Sequence, residues 1–123
     1  ITTDTATFTS VNATDPLVII KNTTNDTDAA RLQFVKDKGA AGADGDDIGL
    51  IEFVGDNDAQ EQTSFAKILA EVVDASDGTE TGKISFHVAE NDGTLTSGMD
   101  IVGLGSDGNV TVDIATHDDI NRC

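Results

Sequence analysis

Short apolar runs separated by clusters of turn-forming residues extend along almost the whole of this sequence. The separators are rich in Gly, Asn, Asp, Ser and Thr, which hairpin turns and loops prefer. Within the runs, β-branched and other apolar residues tend to alternate with polar ones, as in strands with one buried face. The pattern predicts an all-β domain of antiparallel hairpins, with candidate strands at 6–11, 17–21, 31–36, 48–54, 65–73, 83–89, 99–104 and 110–114.

Three of these candidate strands contain the same triplet: an aliphatic residue, a polar residue and Phe. The triplets begin at Leu32, Ile51 and Ile84. Alternate residues of a strand point to the same face, so the aliphatic residue and the Phe share one face and the polar residue points away. We therefore predict a structural core that contains Leu32, Phe34, Ile51, Phe53, Ile84 and Phe86.

The segment 65–73 permits two interpretations. Its apolar residues follow the spacing of an amphipathic helix, and periodicity alone favours that structure. The alternative is a long strand that is partly buried on both faces, which the β-branched residues of its second half permit. The apolar residues concerned are Phe65, Ile68, Leu69, Val72 and Val73.

The glycines Gly103, Gly105 and Gly108 match the G-x-G-x-x-G pattern of dinucleotide-binding turns. That turn must open a helix whose N-terminus receives the pyrophosphate. Here the glycines precede the run 110–114, in which β-branched residues alternate with polar ones as in a strand. The pattern therefore predicts a hairpin turn at 106–109 and no nucleotide site.

The charge balance excludes some partners. The 123 residues include 23 acidic and 7 basic side chains, a formal net charge of -16. Such a charge repels nucleic acid and anionic membranes, and no stretch has the length and apolarity of a membrane-spanning helix. The sequence therefore predicts neither nucleic-acid binding nor membrane insertion.

The apolar content favours assembly with copies of the same chain. Hydrophobic residues make up 37% of the sequence, and Trp and Tyr are absent. A chain short of large apolar side chains can complete its core at an interface between copies. The chain begins with Ile1 and not Met, so we expect a processed product or a segment of a larger protein. We expect connecting segments at 1–15 and 116–123 to flank a module at 16–115.

Six strand-like segments follow one another between about residues 16 and 115: 30–34, 48–53, 65–72, 82–86, 99–101 and 108–111. Their succession resembles the strand order of tail-fibre and related structural proteins of bacterial viruses, particularly marine, cyanophage-like ones. The resemblance implies that 65–73 is a strand and that the chain is a homotrimeric, β-rich fibre module, a shaft or a knob.

The resemblance also implies a place and partners for the chain. It implies a location outside the cell, in the tail or appendage of a virion, where the chain supports attachment to the host. The partners it implies are further copies of the chain, other virion tail proteins and a host cell-surface receptor.

One acidic loop, 39–47, has the composition of a calcium site. Asp44, Asp46 and Asp47 supply carboxylates beside glycines, and Ca²⁺ takes six to eight oxygen ligands. The EF-hand pattern fails, because Gly55 stands where a bidentate Glu is required. A solvated hairpin tip is the favoured interpretation, and a calcium site at these three residues is the alternative.

Two other functions remain open. The chain could be a receptor- or glycan-binding module, calcium-dependent if the acidic loop holds the metal. It could also be a subunit of a cellular extracellular filament or adhesin. In that case glycosylation would matter at the N-x-[ST] sequons, which lie at Asn12, Asn22, Asn25 and Asn109.

The sequence predicts no enzymatic activity. The two histidines, His87 and His117, have no second ligand at metal-binding spacing. The nucleophile pattern G-x-S-x-G is absent. Without Trp or Tyr, the chain also lacks the aromatic side chains on which sugars usually stack. We therefore predict no catalytic and no cofactor-binding residues.

Overall fold

The computed structural model of this protein describes residues 4–106 and 108–116. The contacts between residues divide the chain into two units, which meet between Gln33 and Phe34. The second unit contains one antiparallel sheet in which each strand pairs with the next along the chain. The strands are β1 (Asp47–Asp56), β2 (Gln62–Asp74), β3 (Thr81–Ala89), β4 (Leu95–Gly103) and β5 (Val110–Ile114).

The prediction of an all-β chain built from hairpins is confirmed, since no described residue is helical. Five of the eight predicted strands correspond to β1 through β5, and the last of them has the predicted bounds. The helix-like segment 65–73 lies within β2. There β1 and β3 supply backbone partners on both sides, and the apolar residues of β2 are divided between the two faces of the sheet.

The other three predicted strands, at 6–11, 17–21 and 31–36, are wrong for the single chain, in which these residues are not in strands. Strand-forming residues alone do not make a strand, because each backbone N–H and C=O also needs a partner on a neighbouring strand. The first unit is organised instead by local turns. The Asn22 Oδ1 accepts a hydrogen bond from the Thr24 N–H at 2.8 Å, and the Asp26 Oδ1 accepts one from the Asp28 N–H at 3.0 Å.

The glycine pattern that ends β4 forms part of a hairpin connection. The Leu104 N–H donates a hydrogen bond to the Asn109 carbonyl at 2.9 Å. Gly108 has a φ of 68°, in the left-handed region that glycine adopts at little cost. The predicted hairpin between β4 and β5 is therefore confirmed, although Asp107 lies outside the described residues.

The second unit is a sheet without a buried apolar interior. Among the described residues no hydrophobic side chain is buried, and Ser85 is the only polar one that is. The predicted core residues are mostly exposed in the single chain: Leu32 is 67% exposed and Phe53 is 52% exposed. Phe86, at the centre of the sheet, is half-buried.

The two predicted connecting segments are described only in part. Residues 4–15 belong to the first unit. Of the segment 116–123, the structure describes only Thr116, so His117 lies outside the described residues.

Candidate functional site

One face of the sheet carries almost only apolar side chains. Residues directly opposite one another on antiparallel strands point to the same face, and the strand register therefore defines the rows of this face. Its central row crosses all five strands: Ile51, Ile68, Phe86, Met99 and Ile114.

A second row of the same face lies next to the first. It contains Gly49, Ala70, Ile84, Ile101 and Val112. We call the surface formed by these two rows, together with Phe53, Ala66 and Val88, the apolar face.

Within residues 34–106 and 108–116, no helix and no second sheet lies over the apolar face, and its Ile51, Phe53 and Val112 are 41%, 52% and 55% exposed. A groove of about 580 Å³ runs along one end of this face, where Ala70, Ile84, Ile101 and Val110 are among the lining residues. Nine of its fourteen lining residues are apolar or glycine, and the other five are Glu71, Glu80, Thr81, Lys83 and Asn109. An exposed apolar surface that extends across five strands is typical of an interface between proteins.

The N-terminal edge of the second unit makes a close contact with this face. The Phe34 side chain packs against Gly49, and a Cβ built on Gly49 would lie 2.9 Å from the Phe34 Cβ. No side chain fits between the two residues at that distance. Glycine in this position of β1 therefore allows Phe34 to lie against the strand.

The opposite face carries charged and polar side chains in matching rows. One row contains Asp47, Glu71, Lys83, Val102 and Thr111. Another contains Leu50, Leu69, Ser85, Asp100 and Asp113. We call this surface the polar face.

A short hydrogen-bonded cluster lies at the centre of the polar face. The Ser97 hydroxyl donates to Asp100 Oδ1 at 2.5 Å. The hydrogen bond from Ser97, followed by one from Ser85, lowers the pKa of the Asp100 carboxyl. Ser85 is only 1% exposed, and its neighbours on the row are Leu69 and Asp100.

A register shift brings Ser97 and Asp100 together. Two strand residues three positions apart point to opposite faces unless the strand contains a bulge. The pairing of β3 with β4 passes from Met99 to Ser97 and omits Gly98. The bulge at Gly98 therefore places both side chains on the polar face.

An ion pair joins two strands on the same face. The Lys83 Nζ lies 2.7 Å from Glu71 Oε2, and both side chains are more than two-thirds buried. The hydrogen bond to Glu71 raises the pKa of Lys83. Nearby, both ring nitrogens of His87 are buried and make no hydrogen bond with described residues.

The acidic loop at 39–47 holds the start of the sheet through its carboxylates. Asp44 Oδ1 accepts a hydrogen bond from the Ala75 N–H at 2.9 Å. Asp46 accepts one from the Ala43 N–H at 2.8 Å and forms a salt bridge with Lys38, whose Nζ lies 2.8 Å from Asp46 Oδ2. The hydrogen bond from Lys38 is the largest cause that lowers the pKa of Asp46.

The three candidate calcium ligands thus have separate structural contacts. Asp47 belongs to β1 and pairs with Glu71, while Asp44 and Asp46 bond to the backbone of different segments. Residues 4–106 and 108–116 contain no group of three or more His, Cys, Asp or Glu side chains arranged to hold a metal. The calcium site stays a prediction.

Sequence reasoning missed the polar cluster and the contact of Phe34 with Gly49. A glycine inside a strand pattern is a recognised signal of a bulge or of a close approach between chain segments. Gly98 and Gly49 give that signal in β4 and β1. Neither glycine shows which side chains come together. The contact of Phe34 with Gly49 and the hydrogen bond from Ser97 to Asp100 depend on the tertiary structure.

The sequon asparagines Asn12, Asn22, Asn25 and Asn109 are all exposed. Within the described residues no helix is long and apolar enough to span a membrane. Comparison with protein-family models, with curated proteins and with solved structures finds no match to this chain.

Proposed function

We propose that this chain is a structural module of a viral tail fibre or similar virion appendage, and that it works as a homotrimer. Three copies form a β-rich shaft or knob that supports attachment to the host. The observation that carries the proposal is the uncovered apolar face, in a chain whose described residues include no buried hydrophobic side chain. The chain is a scaffold whose function depends on stiffness and shape.

The exposed area supports assembly. The chain exposes 10285 Å² of surface, whereas a compact monomer of 12.8 kDa exposes about 6300 Å². The difference of about 4000 Å² per chain is surface that a chain of this mass normally buries, and association with other copies would bury part of it. Association of the apolar faces would remove this kind of surface from water.

The polar face and the net charge support an assembly that stays dispersed. When the apolar faces associate, the rows that contain Lys83 and Asp100 remain directed to solvent. The net charge of -16 per chain then opposes contact between assembled particles. The two faces of the sheet would therefore serve association within a fibre and repulsion between fibres.

The mass of the protein in solution tests this proposal. Light scattering coupled to size exclusion should give three times the chain mass of 12.8 kDa, with no change over a tenfold dilution. A monomer with the same β-sheet content would overturn the trimer and would favour a receptor- or glycan-binding module. A dimer would also contradict the proposal, because the fibre requires a threefold arrangement.

A further inference from the structure

The edge strand β1 differs from the other edge of the sheet in having large apolar side chains on both faces. Ile51 and Phe53 lie on the apolar face, while Leu50 belongs to the polar face. Strands with apolar residues on both faces are typically covered on both. In β5, by contrast, Thr111 and Asp113 make one face polar.

The outer edge of β1 also carries unpaired backbone groups. Among the described residues, β2 is the only strand that pairs with β1, and β1 is ten residues long. Proteins usually protect so long an apolar edge, because its free N–H and C=O groups can pair with another chain. In β1, Asp47 and Asp56 stand at the two ends and Glu52 is the one charged residue between them, so the runs 48–51 and 53–55 carry no charge.

A segment suited to pair with that edge occurs earlier in the chain. Residues 17–20 are Leu, Val, Ile and Ile, and all four are exposed, Leu17 to 70%. Three of the four are β-branched, and such residues favour strands. Residues 17–21 take no part in any strand pairing of the sheet. The segment therefore has the composition of a strand and lacks a partner.

We propose that residues 17–21 of one copy of this chain add as a strand to the free edge of β1 in a second copy. This inference rests on the proposed homotrimer and names a second contact between its chains, in addition to the association of the apolar faces. Each copy has one donor segment and one acceptor edge, so three such contacts made head to tail close a ring. The added strand satisfies the backbone of β1 and covers its apolar side chains.

Charge supports the same pairing. Lys21 ends the donor segment and is one of only 7 basic residues in the chain. The acceptor strand has Asp47 at one end and Asp56 at the other, so a carboxylate lies near either end of the edge. Addition of the segment therefore brings opposite charges together in a protein that otherwise repels its own copies.

Disulfide trapping between differently tagged copies tests the contact. In the full chain carrying Cys123→Ser, one copy receives Ile19→Cys and the other Leu50→Cys, and the two are co-expressed and oxidised. A disulfide-linked band that contains both tags can form only between chains. We expect at least ten times more of this band than with Thr24→Cys, an exposed turn residue, in place of Ile19→Cys. Val18→Cys with Leu50→Cys tests the other face of the donor segment.

Hydrogen exchange of the unmodified protein provides a second measurement that needs no substitution. In the assembled protein, amides of residues 18–20 should exchange at least a hundredfold more slowly than unstructured amides. A trimer in which these amides exchange freely and no linked band forms would overturn the strand addition and leave the proposed function standing. A monomeric protein would overturn both.

Discussion

The three triplets of aliphatic residue, polar residue and Phe have similar sequences and different surroundings. The triplet that begins at Ile84 lies in β3 and is paired on both sides, by β2 and β4. The triplet that begins at Ile51 lies in the edge strand β1 and is paired on one side. The triplet that begins at Leu32 is not in a strand. The aliphatic residue becomes more exposed in the same order: 36%, 41% and 67%.

This comparison shows what the alternation of residues specifies. Alternation decides which face of a strand a side chain occupies, but the strand itself forms only where a neighbour pairs with its backbone. The triplet at Leu32 has the residues of a strand and lacks the neighbour. In the proposed trimer, the neighbour that β1 lacks in the single chain is residues 17–21 of another copy.

Replacement of Phe53 by Asp should produce the largest effect. It tests the triplet that begins at Ile51, which is paired on one side only. The charged side chain enters the apolar face, where burial against another chain would leave it without a partner at a cost of several kcal/mol. We expect Phe53→Asp to abolish the trimer, as measured by light scattering. The control is Glu52→Asp, which places the same residue one position earlier on the polar face and should leave the mass unchanged.

A soluble, folded Phe53→Asp trimer would contradict this assignment. It would show that Phe53 faces solvent in the assembly. The apolar face would then have to be covered by some other means.

Replacement of Gly49 by Ala tests the contact between Phe34, the last residue of the first triplet, and β1. The new Cβ would lie 2.9 Å from the Phe34 Cβ, so either Phe34 or the strand must move. Such overpacking typically costs about 1 to 3 kcal/mol, and chemical denaturation should show a loss in that range.

The matched control is Gly82→Ala in β3, where the added Cβ would meet the Glu71 carbonyl oxygen at 3.5 Å, an ordinary contact. Its stability should stay within about 0.5 kcal/mol of the parent chain. Equal losses in the two variants would show that Phe34 does not hold the strand.

Removal of the Ser97 hydroxyl tests the hydrogen-bonded cluster around Asp100. Ser85, the polar residue of the fully paired triplet, donates a second hydrogen bond to the same carboxylate. Ser97→Ala should cost about 1 kcal/mol at pH 7, the usual contribution of a hydrogen bond. A carboxyl whose pKa is lowered by folding stabilises the fold above its unfolded pKa of about 3.9. That stabilisation is lost as the pH falls through the lower, folded pKa.

The stability difference between Ser97→Ala and the parent chain should therefore shrink as the pH is lowered from 5 towards 2. Carboxyl titration by NMR should also show a higher pKa for Asp100 in the variant. Ser64→Ala is the control, because the Ser64 hydroxyl is buried and makes no hydrogen bond with described residues. A constant difference across this range would contradict the assigned role of Ser97.

Much of the sheet could be predicted from the sequence because its information is local. A period of two identifies the faces of β1 and β3, and glycine with polar residues identifies the turns. The segment 65–73 could not be assigned from its own residues, because their spacing fits a helix and their branching fits a strand. Its two paired neighbours decide the structure, and they are distant in sequence.

The candidate site could be predicted only on its apolar side. Four of the six predicted core residues, in the triplets at Ile51 and Ile84, lie on the apolar face, since alternation alone places them there. The cluster around Asp100 depends on a bulge and on the register between strands, which no local pattern specifies. The strands predicted at 17–21 and 31–36 were wrong for the single chain. Residue types show a preference for the strand conformation, but they do not show whether a neighbouring strand is present to pair with the backbone.

The smallest expected effect concerns the ion pair between Lys83 and Glu71, next to the fully paired triplet. Lys83→Met should lower the free energy of unfolding by less than about 1 kcal/mol, since the two side chains of the pair keep 28% and 21% of their surface in solvent and solvent-screened ion pairs contribute little. A lysine whose pKa is raised by folding stabilises the fold below its unfolded pKa of about 10.4 and loses that effect as the pH rises through the higher, folded value. The difference from the parent chain should therefore be present at pH 8 and shrink above about pH 10.4.

Lys67→Met is the control, because Lys67 lies on the polar face and forms no salt bridge with the described residues. Equal losses in the two variants would assign the effect to the lysine stem packing on the sheet and not to the pair with Glu71.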